Sequence, residues 1–293
     1  MNTLQAIFLG LVQGIAEFLP ISSSGHLAIF KAFFGLEDVG LAFDLMLHLG
    51  TLVAVFVVYW KDILELIVEG VKLIMDVCRN IGRYFAKITG KKETTYIKVV
   101  STPYRRFVML VIVSTIPTGI IGLVFKKIFN MDNPSLFIPG IALLITGCML
   151  SLVDQITNGK KKEENMTYKD ATILGVAQGI ATLPGISRSG TTLTVGLLCG
   201  LDRSYAVKYS FIMSIPAILG ANILEIKDLF EPANRISGGE FVNYLIGTAV
   251  AAVVGYICIK VMLQLVKNQK MKYFSIYCLF AGIVAIVGYF VCF

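Results

Sequence analysis

The chain has 293 residues, 56% of them hydrophobic and only 15% charged, with a mean hydropathy of +0.77. Soluble chains carry roughly 25% charged residues, so this balance excludes an ordinary soluble domain, a nucleic-acid-binding module, a secreted disulfide scaffold and a periplasmic β-barrel. The net charge of +7 does not point to nucleic acid either, because the basic residues fall in loops between apolar runs, where the positive-inside bias puts them.

No Lys or Arg precedes Lys31, so the N-terminus lacks the basic region of a signal peptide and is expected to be retained. Thr3–Glu17 then offers fifteen helical residues before Pro20 and a serine-rich break, and Gly25–Phe34 ten more. At 1.5 Å per residue neither crosses a ~30 Å hydrocarbon core. Residues 3–36 therefore read as a re-entrant helix hairpin. A full span follows at Ala42–Trp60, with Tyr59 and Trp60 suited to the membrane boundary. Lys61–Val77 is amphipathic, since Asp62, Glu65, Glu69, Lys72 and Asp76 recur at spacings of three and four. It reads as an interfacial or solvated cytoplasmic helix. Further spans are predicted at Phe107–Phe125 and Leu136–Val153, which closes a first unit of residues 1–153. After a cytoplasmic linker, 154–171, a second hairpin occupies 172–201. Spans at 205–224, Phe241–Ile259 and Tyr273–Phe293 complete a second unit, 172–293. The fold class is all-α: a polytopic membrane protein with two re-entrant hairpins and about six full spans. Pro117, Pro139 and Pro216 are expected to kink their helices. Asp44 and Lys208 lie near span ends. The six cysteines form no C-x-x-C pair and read as small membrane-embedded hydrophobes.

The two units are copies. An offset of 165 residues aligns Gln13–His26 with Gln178–Thr191, and eight of fourteen positions are identical without a gap. The match extends to Gly35-Leu36-Glu37 on Gly200-Leu201-Asp202 and, with one inserted residue, to Lys61-Asp62-Ile63 on Lys227-Asp228-Leu229. Apolar helices that resemble each other by chance match Leu, Ile and Val, not Gln, Ser and Gly. Three spans lie between the hairpins, and an odd number inverts the second copy. Inverted repeats with interrupted helices build sites near the bilayer midplane, so the two tips are expected to meet there. Loop charges agree. Arg79–Arg106 holds eight basic residues against Glu93 alone, and Asn158–Lys169 and Lys260–Lys272 hold four each. The alternate loops carry Lys126 and Lys127, or Lys227 and Arg235. The rich loops are placed in the cytoplasm, and both termini and the first hairpin outside.

Glu17, His26 and Arg188 are ionisable groups inside membrane segments, where each charge costs roughly 2.5–3.5 kcal/mol unless partnered. A purely structural Glu17–Arg188 ion pair is the plain reading. Against it stand the hydroxyls around them: Ser22, Ser23, Ser24 and Gly25 at one tip, Ser187, Ser189, Gly190, Thr191 and Thr192 at the other. Small residues at a helix start turn backbone N–H groups outward and favour anions. A guanidinium adds a planar fork suited to phosphate oxygens. A histidine near a carboxylate moves protons near neutral pH. Together they suit phosphoryl chemistry, although capping is the commonest role of serines at helix starts. His48, in an apolar span, reads as a hydrogen-bonded packing residue.

Gln13-x-x-x-Glu17 followed by FLPISSSGH resembles the (E/Q)xxxE motif of the undecaprenyl-diphosphate phosphatases, and Pro184–Thr192 resembles their PGxSRSxxT motif. The resemblance extends over nearly the whole chain. It implies hydrolysis of undecaprenyl diphosphate to the monophosphate and inorganic phosphate at a bacterial plasma membrane, recycling the carrier lipid for cell-wall synthesis. It implies bacitracin resistance too, because that antibiotic sequesters the diphosphate. Carried over, Glu17, Ser23, His26 and Arg188 are the catalytic positions: Ser23 the nucleophile, His26 its base and later acid, Arg188 the charge clamp. Glu17 orients His26 or holds a divalent cation, Mg²⁺ or Ca²⁺, with Gln13. Ser22, Ser24, Gly25, Ser187, Ser189, Gly190 and Thr192 are expected to bind phosphate. Gln13 departs from members with two glutamates and weakens that metal site. Spacing alone does not choose among three adjacent serines. The expected partners are the polyprenyl diphosphate lipid, the membrane and, for oligomeric state, a homodimer. The site is expected to open to the extracytoplasmic side. The rival reading is a transporter or flippase for a polyprenyl phosphate lipid, since such repeats around an anion site are common in transporters. A structural membrane subunit would leave the buried Glu, His and Arg without a purpose.

Overall fold

The computed structural model describes residues 1–36, 39, 41–89, 95–129, 137–225 and 238–292. Glu37, Lys91, Lys92, Glu93, Leu136, Lys227, Asp228, Leu229, Arg235 and Phe293, used above, lie outside them. Eleven helices make up the described chain. The first hairpin is α1 (Thr3–Phe18) and α2 (Ser23–Phe34), followed by α3 (Leu41–Val58), α4 (Trp60–Ile88), α5 (Pro103–Phe129) and α6 (Phe137–Val153). The second is α7 (Tyr168–Ile180) and α8 (Arg188–Leu198), followed by α9 (Arg203–Glu225), α10 (Gly238–Lys267) and α11 (Lys272–Cys292).

Four of these helices, α5, α9, α10 and α11, are long and apolar enough to cross a bilayer. The helix α3 qualifies jointly with α4, from which it is bent by 90°. At 17 residues, α6 is apolar but shorter than these spans. Apolar side chains on the outer surfaces, such as Ile116 and Ile120 of α5, Val253 and Ile257 of α10 and Phe280 and Ile283 of α11, are exposed. Their natural solvent is lipid.

The repeat is visible at the level of caps. Asn2 and Gln5 form a capping box at the start of α1, and Thr167 and Asp170 form one at the start of α7, 165 residues on. This box starts α7 at Tyr168, so the second hairpin takes in the last residues expected of the linker. Packing exchanges partners between the copies: α1 lies chiefly along α10, α7 along α5, and α6 along α11. A two-fold relation requires this reciprocity.

Glycine makes the exchange possible. Gly10 and Gly14, one turn apart on α1, face Gly247, Ala251 and Gly255 of α10, and a Cβ on Gly14 would sit 2.8 Å from Val254 Cβ and 2.9 Å from the Ala251 carbonyl. The equivalent Gly175 and Gly179 face Ser114, Pro117 and Ile121 of α5. Helices in lipid gain little from apolar burial and associate through such close backbone approach. Thr118 Oγ1 adds a hydrogen bond to the Gly175 carbonyl at 2.9 Å.

Pro117 and Pro216 lie inside α5 and α9. Pro139 does not kink its helix, because it falls in the first turn of α6, where its missing N–H has no partner to lose. The helix α4 is moored by its polar face. Arg105 Nε reaches Glu69 at 2.9 Å and its Nη1 reaches Asp76 at 2.8 Å, while Lys208 of α9 pairs with Asp62 at 2.6 Å. Its apolar side, Leu64, Ile67, Val71 and Ile74, is exposed, as suits a helix lying along a membrane face. Lys31 pairs with Asp44 at 2.7 Å.

Gly14→Val is expected to destabilise the fold by about 1–3 kcal/mol through overpacking. Gly119→Val, at a position where a Cβ meets nothing within 4 Å, should cost less than half as much. Thermal unfolding of the two variants in one detergent checks the difference.

Candidate active site

Both hairpins restart their second helix from a serine cap. In the first, Pro20 cannot continue α1, and Ser22 takes a positive φ of 71°, a strained conformation for a residue with a Cβ. The Ser22 hydroxyl then accepts from the Gly25 N–H at 3.3 Å and caps α2. In the second, Ser187 accepts from the Gly190 N–H at 3.1 Å and caps α8. Ser22 and Ser187 are equivalent under the 165-residue offset, as are Gly25 and Gly190. These two amides, expected to face an anion, are thus satisfied within the protein.

The tips touch. The Gly185 N–H donates to Ser24 Oγ at 3.1 Å, and Ser189 Oγ donates to the Leu19 carbonyl at 3.4 Å. Arg188, the first residue of α8, reaches across and pairs with Glu17 Oε1. Glu17 is buried. Its other oxygen, Oε2, accepts from Ser23 Oγ at 2.6 Å and from Gln13 Nε2 at 3.0 Å. A carboxylate in a dry site requires such partners, and here charge and two further donors supply them.

Among three adjacent serines, geometry now distinguishes each. Ser22 caps, Ser24 holds the opposite tip, and Ser23 alone bonds Glu17. His26 departs from the expected arrangement. Its Nδ1 lies 2.8 Å from the Ser22 carbonyl and its Nε2 2.7 Å from the Tyr277 hydroxyl of α11, with the two rings stacked at 5.5 Å. A carbonyl only accepts, so Nδ1 carries the proton and Nε2 accepts from Tyr277. Glu17 therefore does not orient His26; Ser22 and Tyr277 do. The helical rise along α2 carries the ring past Glu17 toward α11.

His48 occupies the place that reasoning from sequence gave to His26. Its Nδ1 is 3.0 Å from Gln13 Nε2 and 3.6 Å from Glu17 Oε2. It belongs to the polar cluster, and the signal was present: a histidine inside an apolar span needs a polar partner. Tyr277 carried no such signal, since tyrosine is ordinary near membrane boundaries. Of the other expected phosphate binders, Ser187 and Thr192 are buried. Thr192 spends its hydroxyl on the Arg188 carbonyl at 2.8 Å and on Ser210 Oγ at 2.5 Å. Ser189 bridges the tips. Arg188 and Ser23 both bond the Glu17 carboxylate, one on each oxygen.

The residues do not fit a protein-held Mg²⁺ or Ca²⁺. Such hard cations take six or more oxygens, and the one carboxylate here has Oε1 on a guanidinium and Oε2 on a hydroxyl and an amide N–H. Among the described residues no three His, Cys, Asp or Glu side chains gather. Gln13 Oε1 is buried without a partner, but one amide oxygen does not make a seat for such a cation.

The chain resembles known proteins over nearly its whole length. Residues 6–284 match the family profile "Bacitracin resistance protein BacA". The chain is 41% identical over 288 residues to an undecaprenyl-diphosphatase of Methanosphaera stadtmanae, with 98% of each chain covered. It is 40% identical over 290 residues to an undecaprenyl-diphosphatase of Alkaliphilus metalliredigens, again covering 98% of each. With an undecaprenyl-diphosphatase of Carboxydothermus hydrogenoformans the identity is 38% over 287 residues, covering 98% of this chain and 97% of the relative.

Removing one partner of the buried pair strands the other. Arg188→Met is expected to lower stability by about 3 kcal/mol, and adding Glu17→Gln should recover most of that. Equal melting of the single and double variants in detergent would show that the pair does not couple the tips.

Proposed function

The chain belongs to the bacitracin resistance protein BacA family, and from that premise we propose that it removes the terminal phosphate of undecaprenyl diphosphate. The products are undecaprenyl phosphate and inorganic phosphate; the carrier lipid is thereby recycled for cell-wall synthesis, and the cell withstands bacitracin. The observation that carries the reading is Ser23, a hydroxyl bonded to a buried carboxylate, beside a guanidinium delivered by the opposite tip.

In the proposed reaction Arg188 takes the terminal phosphate and withdraws from Glu17, leaving that carboxylate to accept the Ser23 proton. Ser23 Oγ bonds to the terminal phosphorus as the bridging P–O bond breaks, and undecaprenyl phosphate leaves with the electron pair. Water then attacks the phosphoserine phosphorus, the P–Oγ bond breaks, Glu17 returns its proton to Ser23 Oγ, and the inorganic phosphate departs with the water's oxygen and protons. Arg188 stabilises the charge spread over the transferring oxygens. Both ring nitrogens of His26 are engaged by Ser22 and Tyr277, so in the proposal it ties the first tip to α11 and carries no proton in either step. A divalent cation enters only as a counter-ion carried by the diphosphate oxygens and water, because the donor set offers it no seat. Loop charges support a site open to the extracytoplasmic side of a multi-pass plasma-membrane protein. A homodimer belongs to the same reading, and the mass of the detergent-solubilised particle tests it.

The protein purified in detergent should release phosphate from undecaprenyl diphosphate, where a transporter would have no vectorial activity to display. Arg188→Ala should lower the rate by at least ~10²-fold, the loss typical of a transition-state charge donor. A folded Arg188→Ala variant that keeps full activity would remove the guanidinium from the mechanism.

The intermediate is open to direct detection. Rapid acid quench with substrate labelled in the terminal phosphate should trap label on Ser23, and Ser23→Ala should trap none. Label on His26 instead would overturn the nucleophile assignment.

A further inference from the structure

We propose that His48 binds the substrate, its Nε2–H donating to an oxygen of the terminal phosphate, and that Gln13 fixes the ring for that task. This rests on the phosphatase reading above. The argument starts from Gln13, which is fully buried. Ionised Glu17 only accepts, so the Gln13 NH₂ group must be the end that faces it at 3.0 Å. The second hydrogen of that NH₂ group points to His48 Nδ1, also at 3.0 Å. That nitrogen therefore accepts, and in neutral imidazole the proton sits on Nε2.

Nε2–H makes no hydrogen bond within the described residues, whereas both nitrogens of His26 are engaged. The His48 side chain is 32% exposed while that of Glu17 is 4% exposed. The imidazole is thus the more exposed partner, near Oε2 of Glu17 while Arg188 holds Oε1. A second observation points the same way. Gln13 Oε1 is buried without a partner, an acceptor awaiting a donor such as a protonated phosphate oxygen or its water. A histidine present only for packing would be buried and satisfied; this one holds a donor free beside the nucleophile. As a neutral donor it adds a phosphate contact without competing with Arg188 for Glu17.

The test compares wild type, His48→Ala, His48→Gln and Gln13→Ala in detergent, with undecaprenyl diphosphate as substrate and inorganic phosphate as competing product. Losing a hydrogen bond to a charged group should raise KM about tenfold or more in His48→Ala. The phosphate inhibition constant should rise in parallel, with kcat changed less than about threefold. His48→Gln keeps an N–H donor of similar reach and should restore most of both. Gln13→Ala should shift both constants in the same direction. A His48→Ala enzyme with unchanged KM and phosphate inhibition would overturn the proposal, as would a fall in kcat alone or a His48→Gln variant no better than alanine. Failure of wild type to release phosphate would instead sink the phosphatase reading.

Discussion

The contact on which the molecule depends is the pair formed by Glu17 and Arg188 across two hairpin tips. Each hairpin joins helices of 11 to 16 residues, too short to cross a bilayer singly, and leaves a broken backbone among apolar helices. Irregular backbone survives there only when protein surrounds it. Each tip supplies what the other lacks. Arg188 brings a charge that Glu17 neutralises, Ser24 accepts from the Gly185 amide, and Ser189 donates to the Leu19 carbonyl. Packing brings the tips within reach, and α6 fills the space beside them: a Cβ on Gly185 would collide with Pro139 and Ala142. Its φ of +93° independently favours glycine at that turn.

The repeat explains how chemistry arose on this frame. Positions that hold the frame are the same in both copies: the caps Ser22 and Ser187, the small pairs Gly10/Gly14 and Gly175/Gly179, the buried amides Gln13 and Gln178. Positions expected from the sequence to do chemistry differ. Ser23 stands where the second copy has Arg188, Glu17 where it has Thr182, and His26 where it has Thr191. Gln178 accordingly turns to Thr118 and the Met213 carbonyl rather than to a carboxylate. A two-fold relation thus sets a hydroxyl and a guanidinium opposite each other because they share one position in the repeat.

Much of this was legible in the residues themselves. Helix lengths too short for a bilayer, broken by Pro20 and the serines, fixed the hairpins, and the offset of the repeat fixed which tip faces which. What escaped was rotational. The sequence places His26 one turn beyond Ser23, but whether its ring turns to Glu17 or away depends on α11, whose Tyr277 captures it. It places His48 in an apolar span, but only the packing of α3 against α1 brings the ring to Gln13. The N–H groups at the starts of α2 and α8 look available to an anion until the caps are seen to occupy those of Gly25 and Gly190. Pro139 misled by position alone: one turn from a helix start, a proline bends nothing.

The resting site carries little net charge, and that bears on how a multiply charged diphosphate enters it. A bare guanidinium at this depth would be costly, and so would a bare carboxylate. Paired, they are tolerated, and Ser23 and Gln13 complete the shell around Glu17. An arriving phosphate competes with Glu17 for the same cation and brings more charge to the contest. If it takes Arg188, the carboxylate is left facing the hydroxyl whose proton must be removed. Binding and activation are then a single exchange of partners. In the proposed reaction the arrangement is also a guard, since without an anion on Arg188 the carboxylate stays occupied and the Ser23 proton has no free base to go to.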